Sequence, residues 1–259
     1  MEEDLRRAIK QEELELYYQL LVGVVEKQIT GVECLLRWRH PEHGLILPAD
    51  FIPLAEETGL IIPIGEWVLR TACRQARYWM QLGFPMLRVA VNLSPRQFSQ
   101  KDFTERVARV LNETKLDARA LGFEITEGII MKNVESAIKT LQALKLMGVH
   151  LSIDDFGTGY SSLSYLKSFP IDQLKIDQSF VRDITTDLND AAISQAIIAM
   201  AHSMKLLVTA EGVETKAQAE FLELNGCDEM QGYYFCRPVS QDELTEMLIA
   251  DGASRFMSH

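Results

Sequence analysis

The sequence lacks the features that mark secreted, zinc-bound or membrane-spanning chains. Its four cysteines form no CxxC pair and show no zinc spacing, so we expect buried, reduced thiols. No stretch approaches the roughly 18 uninterrupted apolar residues of a membrane span. The opening MEEDLRRAIKQEELEL is too acidic for a signal peptide. We therefore expect a cytoplasmic protein, or the cytosolic domain of a membrane-anchored parent.

Positive charge is also scarce. Lys and Arg total 26 against 37 Asp and Glu, which gives a formal net charge of −11. This balance argues against a nucleic-acid backbone or an anionic membrane surface as a partner. An anionic substrate would need cations placed locally at its binding site.

No Pro/Gly/Ser-rich linker divides the 259 residues, a length that suits a single barrel. Strand-like stretches alternate with helical patterns such as 193–204 and 134–144, the second of which Asn133 is placed to cap. The predicted strands are 15–22, 30–38, 87–94, 121–126, 149–155, 172–177, 205–212 and 228–234. Such alternation predicts parallel strands with helices packed outside them.

The first two predicted strands break this rule. Only residues 23–29 separate them, which is hairpin length and too short for a helical crossover. We therefore predict an α/β fold, a (β/α)8 barrel that begins with an irregular antiparallel element.

Seven of the predicted strands share one arrangement of side chains. Residues alternate between the two faces of a strand, and here an apolar outer face opposes one ionisable or amide residue near the end of the inner face. These residues are Glu33, Asn92, Glu124, Asp154, Lys175, Glu211 and Gln231. The C-terminal strand ends of a (β/α) barrel converge on one mouth, so we expect these side chains to meet there.

The expected mouth carries far more negative than positive charge. Five carboxylates face one ammonium, from Glu33, Glu124, Asp154, Asp155, Glu211 and Lys175. Such a cluster repels itself or holds protons unless cations bind. Two divalent ions would neutralise it, and oxygen ligands with the Asn92 amide favour Mg²⁺ or Mn²⁺. The adjacent aspartates would let Asp154 bridge two ions while Asp155 serves the second.

Each of these residues, taken alone, has an ordinary explanation. Glu33 or Glu124 could be a salt-bridged or capping carboxylate, and Asn92 could organise a turn. Gly157 could only permit a sharp bend, and Lys175 could be a structural counter-ion. The agreement of seven strand ends carries more weight than any one of them.

Several motifs, in order along the chain, are similar to those of a known family. ECLLRW (33–38) resembles the E-x-L-x-R signature of EAL domains, the bacterial phosphodiesterases that linearise cyclic di-GMP. Further matches are FIPLAEETGLI (51–61), VNLSPRQF (91–98), FEITE (123–127), DDFGTGYSSL (154–163), LKIDQSF (174–180), AEGVET (210–215) and QGYYFCRP (231–238). The resemblance covers roughly residues 12–248. Cys34 stands where the signature has alanine, and Leu20 and Gly23 replace a common proline and aspartate.

The resemblance implies a modified TIM barrel with an antiparallel first strand, and it implies roles for single residues. Those implied to hold two metal ions are Glu33, Asn92, Glu124, Asp154, Asp155 and Glu211. Those implied to act in catalysis are Lys175, on the attacking water, with Glu211, Asp155 and Glu127, the last of which would secure the loop of DDFGTGYSS. Those implied to meet the substrate are Gln19, Leu35, Arg37, Asp177, Glu214 and Gln231.

We therefore expect a phosphodiesterase that uses Mg²⁺ or Mn²⁺ to convert cyclic di-GMP to linear pGpG by a two-metal mechanism. Two alternatives stay open. One is a receptor module that binds cyclic di-GMP without cleaving it, although no metal-ligand position is missing. The other is an enolase-type proton abstractor with Lys175 as its base.

The expected organisation is a lead-in helix at 1–11, an EAL-type domain at 12–248 and a tail at 249–259. A homodimer is implied by the resemblance. So is fusion to an upstream sensor or GGDEF-type domain in a parent protein. We expect no nucleic-acid partner and no membrane contact by this domain.

Overall fold

Eight strands close into a ring, and a ninth extends the sheet beside it. The computed structural model describes residues 1–84, 87–158 and 163–256. The strands are β1 (Leu14–Gly23), β2 (Ile29–His40), β3 (Gly44–Ile46), β4 (Arg88–Asn92), β5 (Leu121–Thr126), β6 (His150–Phe156), β7 (Gln173–Ile176), β8 (Leu207–Ala210) and β9 (Glu229–Met230). The ring runs β1, β2, β4, β5, β6, β7, β8, β9 and back to β1, while β3 pairs with β2 outside it.

Strand β1 runs against the direction of the other ring strands. It pairs antiparallel with both β2 and β9, whereas the successive pairs from β2 through β4 to β9 are parallel. Residues 24–28 alone join β1 to β2, so the chain has no length for a crossover and must fold back as a hairpin. The predicted barrel with an antiparallel first strand is confirmed.

Helices cover the outside of the ring. In the described residues they are α1 (Glu2–Ala8), α2 (Pro48–Thr58), α3 (Ile61–Gln81), α4 (Pro95–Phe98), α5 (Phe103–Thr114), α6 (Glu127–Met131), α7 (Val134–Met147), α8 (Leu163–Leu166), α9 (Gln178–Arg182), α10 (Leu188–Ser203), α11 (Lys216–Leu224) and α12 (Gln241–Phe256). None of these helices has the length and apolar character that a bilayer span requires.

Local capping explains where two predicted helices begin. Asn133 caps α7 as predicted, because its Oδ1 accepts a hydrogen bond from the Ser136 N–H at 3.1 Å. Helix α10 begins at Leu188 rather than at 193, because Asp187 Oδ1 accepts from the Asn189 N–H at 2.7 Å. Helix α12 runs to Phe256 and so crosses the boundary at 249 where the tail was expected.

Two features of the sheet differ from the sequence prediction. The strand expected over 228–234 forms only at Glu229–Met230, because the following residues bond to the loop after β8 instead. The Gln231 carbonyl accepts from the Val213 N–H at 3.0 Å, and the Val213 carbonyl accepts from the Tyr234 N–H at 2.9 Å. Strand β3 was not predicted, since three residues are too few to show an alternating pattern.

The main apolar core lies between the ring and the helices. On the outward face of β2, Cys34 is 4 % exposed and lies beside Ile64 and Val68 of α3. Its neighbour Glu33 instead faces the mouth of the ring. The alternation predicted for β2 is therefore confirmed, and the substitution at Cys34 is absorbed by packing.

A second, polar layer fills the lower interior of the ring. The Arg88 guanidinium donates to Glu229 Oε2 at 2.8 Å, and Gln173 Nε2 donates to the same oxygen at 2.6 Å. His150 Nε2 lies 2.9 Å from Gln173 Oε1. Gly31 lets β2 lie close to β4 at Arg88, because a Cβ there would lie 2.9 Å from the Arg88 carbonyl oxygen. Every charge in this floor has a partner from another strand.

Replacing His150 with Gln should make stability less sensitive to acid. Burial, aided by Arg88, lowers the pKa of His150 to about 4, below the roughly 6.5 of an unfolded histidine. Above about pH 6.5 the imidazole of His150 is neutral in both the folded and the unfolded state. As the pH falls from about 6.5 to 4, the unfolded state binds a proton that the folded state refuses, which favours unfolding. Over that range, protonation at position 150 should lower the free energy of unfolding of the wild type by about 3 kcal/mol and leave that of the variant unchanged.

The measurement is urea unfolding of the wild type and His150→Gln at several pH values from 4 to 7. His43, whose side chain is exposed, provides the matched control as His43→Gln. Acid losses of equal size in the wild type and in His150→Gln would show that His150 does not carry this dependence.

Candidate active site

The polar residues at the strand ends meet at one mouth of the ring. A cavity of about 490 Å³ opens there. Five of the seven strand-end residues line it: Glu33, Asn92, Asp154, Glu211 and Gln231. The other two, Glu124 and Lys175, are buried below it at 2 % and 1 % exposure. Parallel strands deliver these side chains because their C-terminal ends share one side of the barrel.

Lys175 stands at the centre of this cluster. Its Nζ lies 2.7 Å from Glu124 Oε2, 3.5 Å from Asp154 Oδ1 and 3.8 Å from Glu33 Oε2. It also forms an ion pair with Glu211 Oε1. Burial opposes the charge on Lys175, but the surrounding carboxylates outweigh burial and raise its pKa well above the ordinary value. The side chain is therefore an ammonium that joins four strands.

Two amides fix the orientation of Glu33. Asn92 Nδ2 donates to Glu33 Oε1 at 2.6 Å, and Gln231 Nε2 donates to Glu33 Oε2 at 2.5 Å. Gln231 Nε2 also lies 3.0 Å from Gln19 Oε1. Gln19 and Gln231 thus lie at the mouth, where the resemblance placed them. Gln231 contacts the carboxylate of Glu33 directly, and Gln19 contacts Gln231.

A bulge in β6 brings two adjacent aspartates to the same place. Simple alternation would send Asp154 and Asp155 to opposite faces. The register against β7 shifts between Ile153 and Phe156, and Asp155 adopts a left-handed φ of 53°. Both carboxylates consequently lie with Glu211 in a group whose ligand oxygens are all within 4.8 Å of one another.

The loop after the bulge depends on a glycine. Gly157 has φ 98°, a conformation that side chains disfavour. A Cβ there would lie 2.9 Å from the Phe180 ring. Gly157 therefore permits a sharp bend, which is the ordinary explanation for a glycine at this position. Residues 159–162 of the DDFGTGYSSL motif lie outside the described residues.

The carboxylates of the mouth exceed what one ammonium can neutralise. Burial, reinforced by neighbouring carboxylates, raises the pKa of Glu124 well above its ordinary value. Burial also raises the pKa of Glu211 to about 8, although Lys175 acts against this. Burial, Asp154 and Asp177 raise the pKa of Asp155 to about 6. Such groups hold protons until a cation replaces them. Since the donors are oxygens, the cluster fits a hard divalent ion such as Mg²⁺ or Mn²⁺.

Of three further residues implied to meet the substrate, Glu214, Arg37 and Leu35, only Glu214 lines the mouth cavity. Glu214 is exposed and lines the cavity. Arg37 is half-buried, donates to the Leu36 carbonyl at 2.8 Å and lies 5.6 Å from the centre of the Tyr17 ring. Leu35 lines a neighbouring apolar groove that shares Asn92 with the mouth.

The two remaining predicted residues, Asp177 and Glu127, lie in other local settings. Asp177 caps α9, since its Oδ1 accepts from the N–H and the hydroxyl of Ser179 at 3.0 and 2.5 Å. Glu127 opens α6 and lines a small space with Phe156 and Leu166, which flank the loop of the DDFGTGYSSL motif. Among the described residues, neither lines the mouth cavity.

Sequence reasoning missed four residues that line the cavity: Gln178, Gly212, Gly232 and Tyr233. Tyr233 is 49 % exposed, and the Arg237 guanidinium lies 4.4 Å from the centre of its ring. Gln178 lies in LKIDQSF two residues past the end of β7, and Tyr233 lies in QGYYFCRP three residues past the end of β9. A search of the first three positions after each strand would have found all four residues.

The model of the EAL domain matches residues 2–238. This chain belongs to the EAL domain family. The family inferred from ECLLRW and the motifs after it is thus confirmed.

Curated relatives of this EAL domain are longer proteins. It is 47 % identical over 241 residues to the bifunctional diguanylate cyclase/cyclic di-GMP phosphodiesterase MucR of Pseudomonas aeruginosa. It is 41 % identical over 239 residues to the cyclic di-GMP phosphodiesterase PdeR of Escherichia coli. The matches cover 93 % and 92 % of this chain but 35 % and 36 % of the relatives. The chain therefore spans about a third of their length.

The barrel is also similar to a solved structure, the PaMucR phosphodiesterase in complex with c-di-GMP. The TM-score is 0.91 at 47 % identity, and the match covers 93 % of this chain and 98 % of that one. The EAL domain described here therefore shares both its sequence family and its fold with a chain that binds c-di-GMP.

Replacing Lys175 with Met should strongly destabilise the metal-free protein. The change removes the ammonium from among four carboxylates, which must then either stay charged without a partner or take up further protons. Breaking a buried ion pair in this way costs about 3–5 kcal/mol. Urea unfolding in the presence of a chelator measures the loss.

Lys145→Met is the matched control. Lys145 Nζ lies 2.7 Å from Asp172 Oδ1, but both side chains are about 30 % exposed, so we expect a loss of about 1 kcal/mol or less. Losses of equal size at Lys175 and Lys145 would contradict the central role of Lys175.

Proposed function

We propose that this EAL domain is a metal-dependent phosphodiesterase that hydrolyses one phosphodiester bond of cyclic di-GMP and releases linear pGpG. The observation that carries the proposal is the group of five carboxylates around the buried ammonium of Lys175 at the barrel mouth. The relatives named as cyclic di-GMP phosphodiesterases support the choice of substrate.

Two divalent cations supply the chemistry that the side chains lack. When bound, they would offset the carboxylates, polarise a phosphate oxygen and make water acidic enough to attack phosphorus. The side chains that would hold one ion are Glu33, Asn92, Glu124 and Asp154, and those that would hold the other are Asp154, Asp155 and Glu211. Asp154 would belong to both sets, as its position at the start of the bulge allows.

The protein's own groups would orient the water and manage its protons. In the reaction, the water oxygen forms a bond to phosphorus as the bond to a ribose 3′-oxygen breaks. The water gives up one proton and the leaving 3′-oxygen takes up one from solvent, so that a phosphate monoester and a 3′-hydroxyl result. Lys175 would donate a hydrogen bond to the attacking water. Glu211, which the Lys175 ammonium contacts, would accept one. This pair would hold the water in line with the leaving oxygen.

Substrate recognition would fall to the rim. Arg37 offers a planar guanidinium that matches phosphate oxygens. Burial lowers its pKa, although Tyr17, Tyr233 and Glu33 act against this. Gln19, Glu214 and Gln231 would lie toward a guanine base. Leu35 and Asp177 would complete the contacts to the substrate, and Glu127 would steady the loop after β6.

The two alternatives make different demands on the same residues. A silent receptor would be expected to lack a metal ligand, and the oxygen donors at Glu33, Asn92, Glu124 and Asp154 are all present. An enolase-type enzyme would need Lys175 as a neutral base, whereas the carboxylates hold its pKa well above the ordinary value. Phosphodiester hydrolysis uses the ammonium as it stands.

The assembly around this domain also belongs to the proposal. The curated relatives extend well beyond the matched region, so we propose that residues 12–248 act as the catalytic domain of a parent protein with an upstream sensor or GGDEF-type domain. We further propose a homodimer and a cytoplasmic site of action, where a soluble nucleotide substrate is available.

The test is incubation of the protein with cyclic di-GMP and Mg²⁺ or Mn²⁺, followed by chromatography of the products. We expect linear pGpG with either ion, none with chelator, and binding without turnover in Ca²⁺, which forms longer bonds to more ligands. Binding without product in every ion would favour the receptor. Absence of both binding and product would reject cyclic di-GMP as the substrate.

Replacing Asp155 with Asn should leave a folded protein that binds cyclic di-GMP but turns it over at least about 100-fold more slowly, the scale of losing one strong electrostatic contributor. The amide keeps the shape of the side chain and removes charge needed at the second ion. Single-turnover kinetics and calorimetric binding measure the two effects. The exposed Asp242 provides the control as Asp242→Asn, and near-normal turnover by Asp155→Asn would remove that residue from the site.

Replacing Arg37 with Lys should weaken cyclic di-GMP binding although the charge survives, because an ammonium cannot form the paired hydrogen bonds of a guanidinium. Binding in Ca²⁺ separates affinity from turnover. Arg39→Lys is the control, since Arg39 is 56 % exposed and pairs with Glu15. A lower melting temperature with unchanged affinity would instead assign Arg37 to packing against Tyr17.

A further inference from the structure

Gly65 lies inside a long helix, at a position where no turn in the backbone requires glycine. Gly65 occupies the second turn of α3, which continues to Gln81. Its φ is not left-handed, and glycine is among the poorest residues for a helix interior. The position therefore calls for a reason other than backbone conformation.

The side chain of Gln97 supplies that reason. A Cβ built on Gly65 would overlap the amide group of Gln97 and would lie 2.8 Å from its Oε1. Gln97 is 8 % exposed, and its amide packs against the backbone of α3 at Gly65. Any larger residue at Gly65 would have to displace it.

Gln97 in turn closes the turn that follows β4. Its Oε1 accepts from the Ser94 hydroxyl at 2.8 Å and from the Ser94 N–H at 3.3 Å. The Ser94 hydroxyl accepts from the Gln97 N–H at 3.2 Å. This reciprocal pair is a capping box at the start of α4. The contact with Gly65 thus anchors the box to the much longer helix α3.

Asn92, two residues before Ser94, has strand pairing on one side only, whereas Glu33 has it on both. Glu33 pairs with strands on both of its sides, opposite Gln19 and Ala90. Asn92 pairs with β5 opposite Glu124, while the pairing of β4 with β2 ends at Val91. On that second side, the turn at Ser94 sets the direction in which the chain leaves Asn92.

We propose that Gly65 and Gln97 position Asn92 for metal binding, a role that rests on the proposed function of Asn92 as a ligand. The amide of Gln97 fits over Gly65 and holds the capping box. The box fixes the end of β4, and Asn92 then meets Glu33 at 2.6 Å. Gly65 and Gln97 are positioning residues, since neither needs to touch the metal or the substrate.

A groove beside Gly65 has room for a displaced Gln97 side chain, so the contact between Gly65 and Gln97 can be lost while the protein stays folded. A groove of about 340 Å³ is lined by Gly65, Gln97, Ser94 and Asn92 together with apolar side chains. In Gly65→Ala, the Gln97 side chain can swing into this groove. The protein would stay folded, and the capping box would be lost.

Mn²⁺ titrations of the substrate-free protein, followed by electron paramagnetic resonance, test the proposal together with melting temperatures. Gly65→Ala and Gln97→Ala should each weaken Mn²⁺ binding about tenfold, the lower end of the loss seen when residues that support metal ligands are removed. In an Asn92→Ala background, Gly65→Ala should weaken it no further. Equal effects of Gly65→Ala with and without Asn92 would overturn the route through Asn92.

A double-variant cycle tests the contact itself. Gly65→Ala should lower the melting temperature of the wild type but raise that of Gln97→Ala, because the new methyl group then meets no amide and alanine favours the helix. A lowering in both backgrounds would overturn the fit of Gln97 over Gly65.

Ala76→Gly separates positioning from general weakening of α3. Ala76 is 2 % exposed on the same helix, so this control should lower the melting temperature and leave Mn²⁺ binding unchanged. Unchanged Mn²⁺ binding in Gly65→Ala would overturn the positioning role alone. A wild type that binds no Mn²⁺ would overturn the proposed function, and the role of Asn92 with it.

Discussion

The buried ammonium of Lys175 is the constraint on which the mouth of this barrel depends. It contacts carboxylates from β2, β5 and β6 and from the residue that follows β8. A buried cation of this kind is costly unless every neighbour is placed for it. The parallel strands meet that demand, because each delivers a side chain to the same height at its C-terminal end. The barrel therefore places the carboxylates that keep Lys175 charged, and Lys175 in turn holds those strand ends together.

The ammonium of Lys175 supplies less positive charge than the carboxylates around it require. One ammonium serves five carboxylates, and burial raises the pKa of Glu211 to about 8 and that of Asp155 to about 6. Protons can meet the deficit in the metal-free protein, and divalent ions can meet it in their place. A net charge of −11 is then no obstacle to an anionic substrate, since the sign of the potential at the mouth is set by what binds there.

Much of this could be predicted from the sequence, because strand alternation and barrel geometry are local rules. They predicted the antiparallel start and the convergence of Glu33, Asn92 and Lys175. They could not predict the bulge, since a left-handed Asp155 depends on register against β7. Nor could they find the fit of Gln97 over Gly65, which joins a helix to a turn with no shared period. Contacts of that kind depend on the packing of distant segments, and no pattern within a single segment encodes them.

The two ionic layers inside the ring show which end carries chemistry. In the floor, burial would raise the pKa of Glu229, but Arg88 and hydrogen bonds from Gln173 and Thr209 hold it below the ordinary value. That carboxylate is ionised and fully partnered, so it has nothing left to offer a ligand. At the mouth, Glu124 and Glu211 are shifted the opposite way. The barrel interior thus holds a fully partnered ion pair below and a cluster with excess negative charge above. Because a bound cation would stabilise only the cluster, the proposed metal site belongs at the mouth.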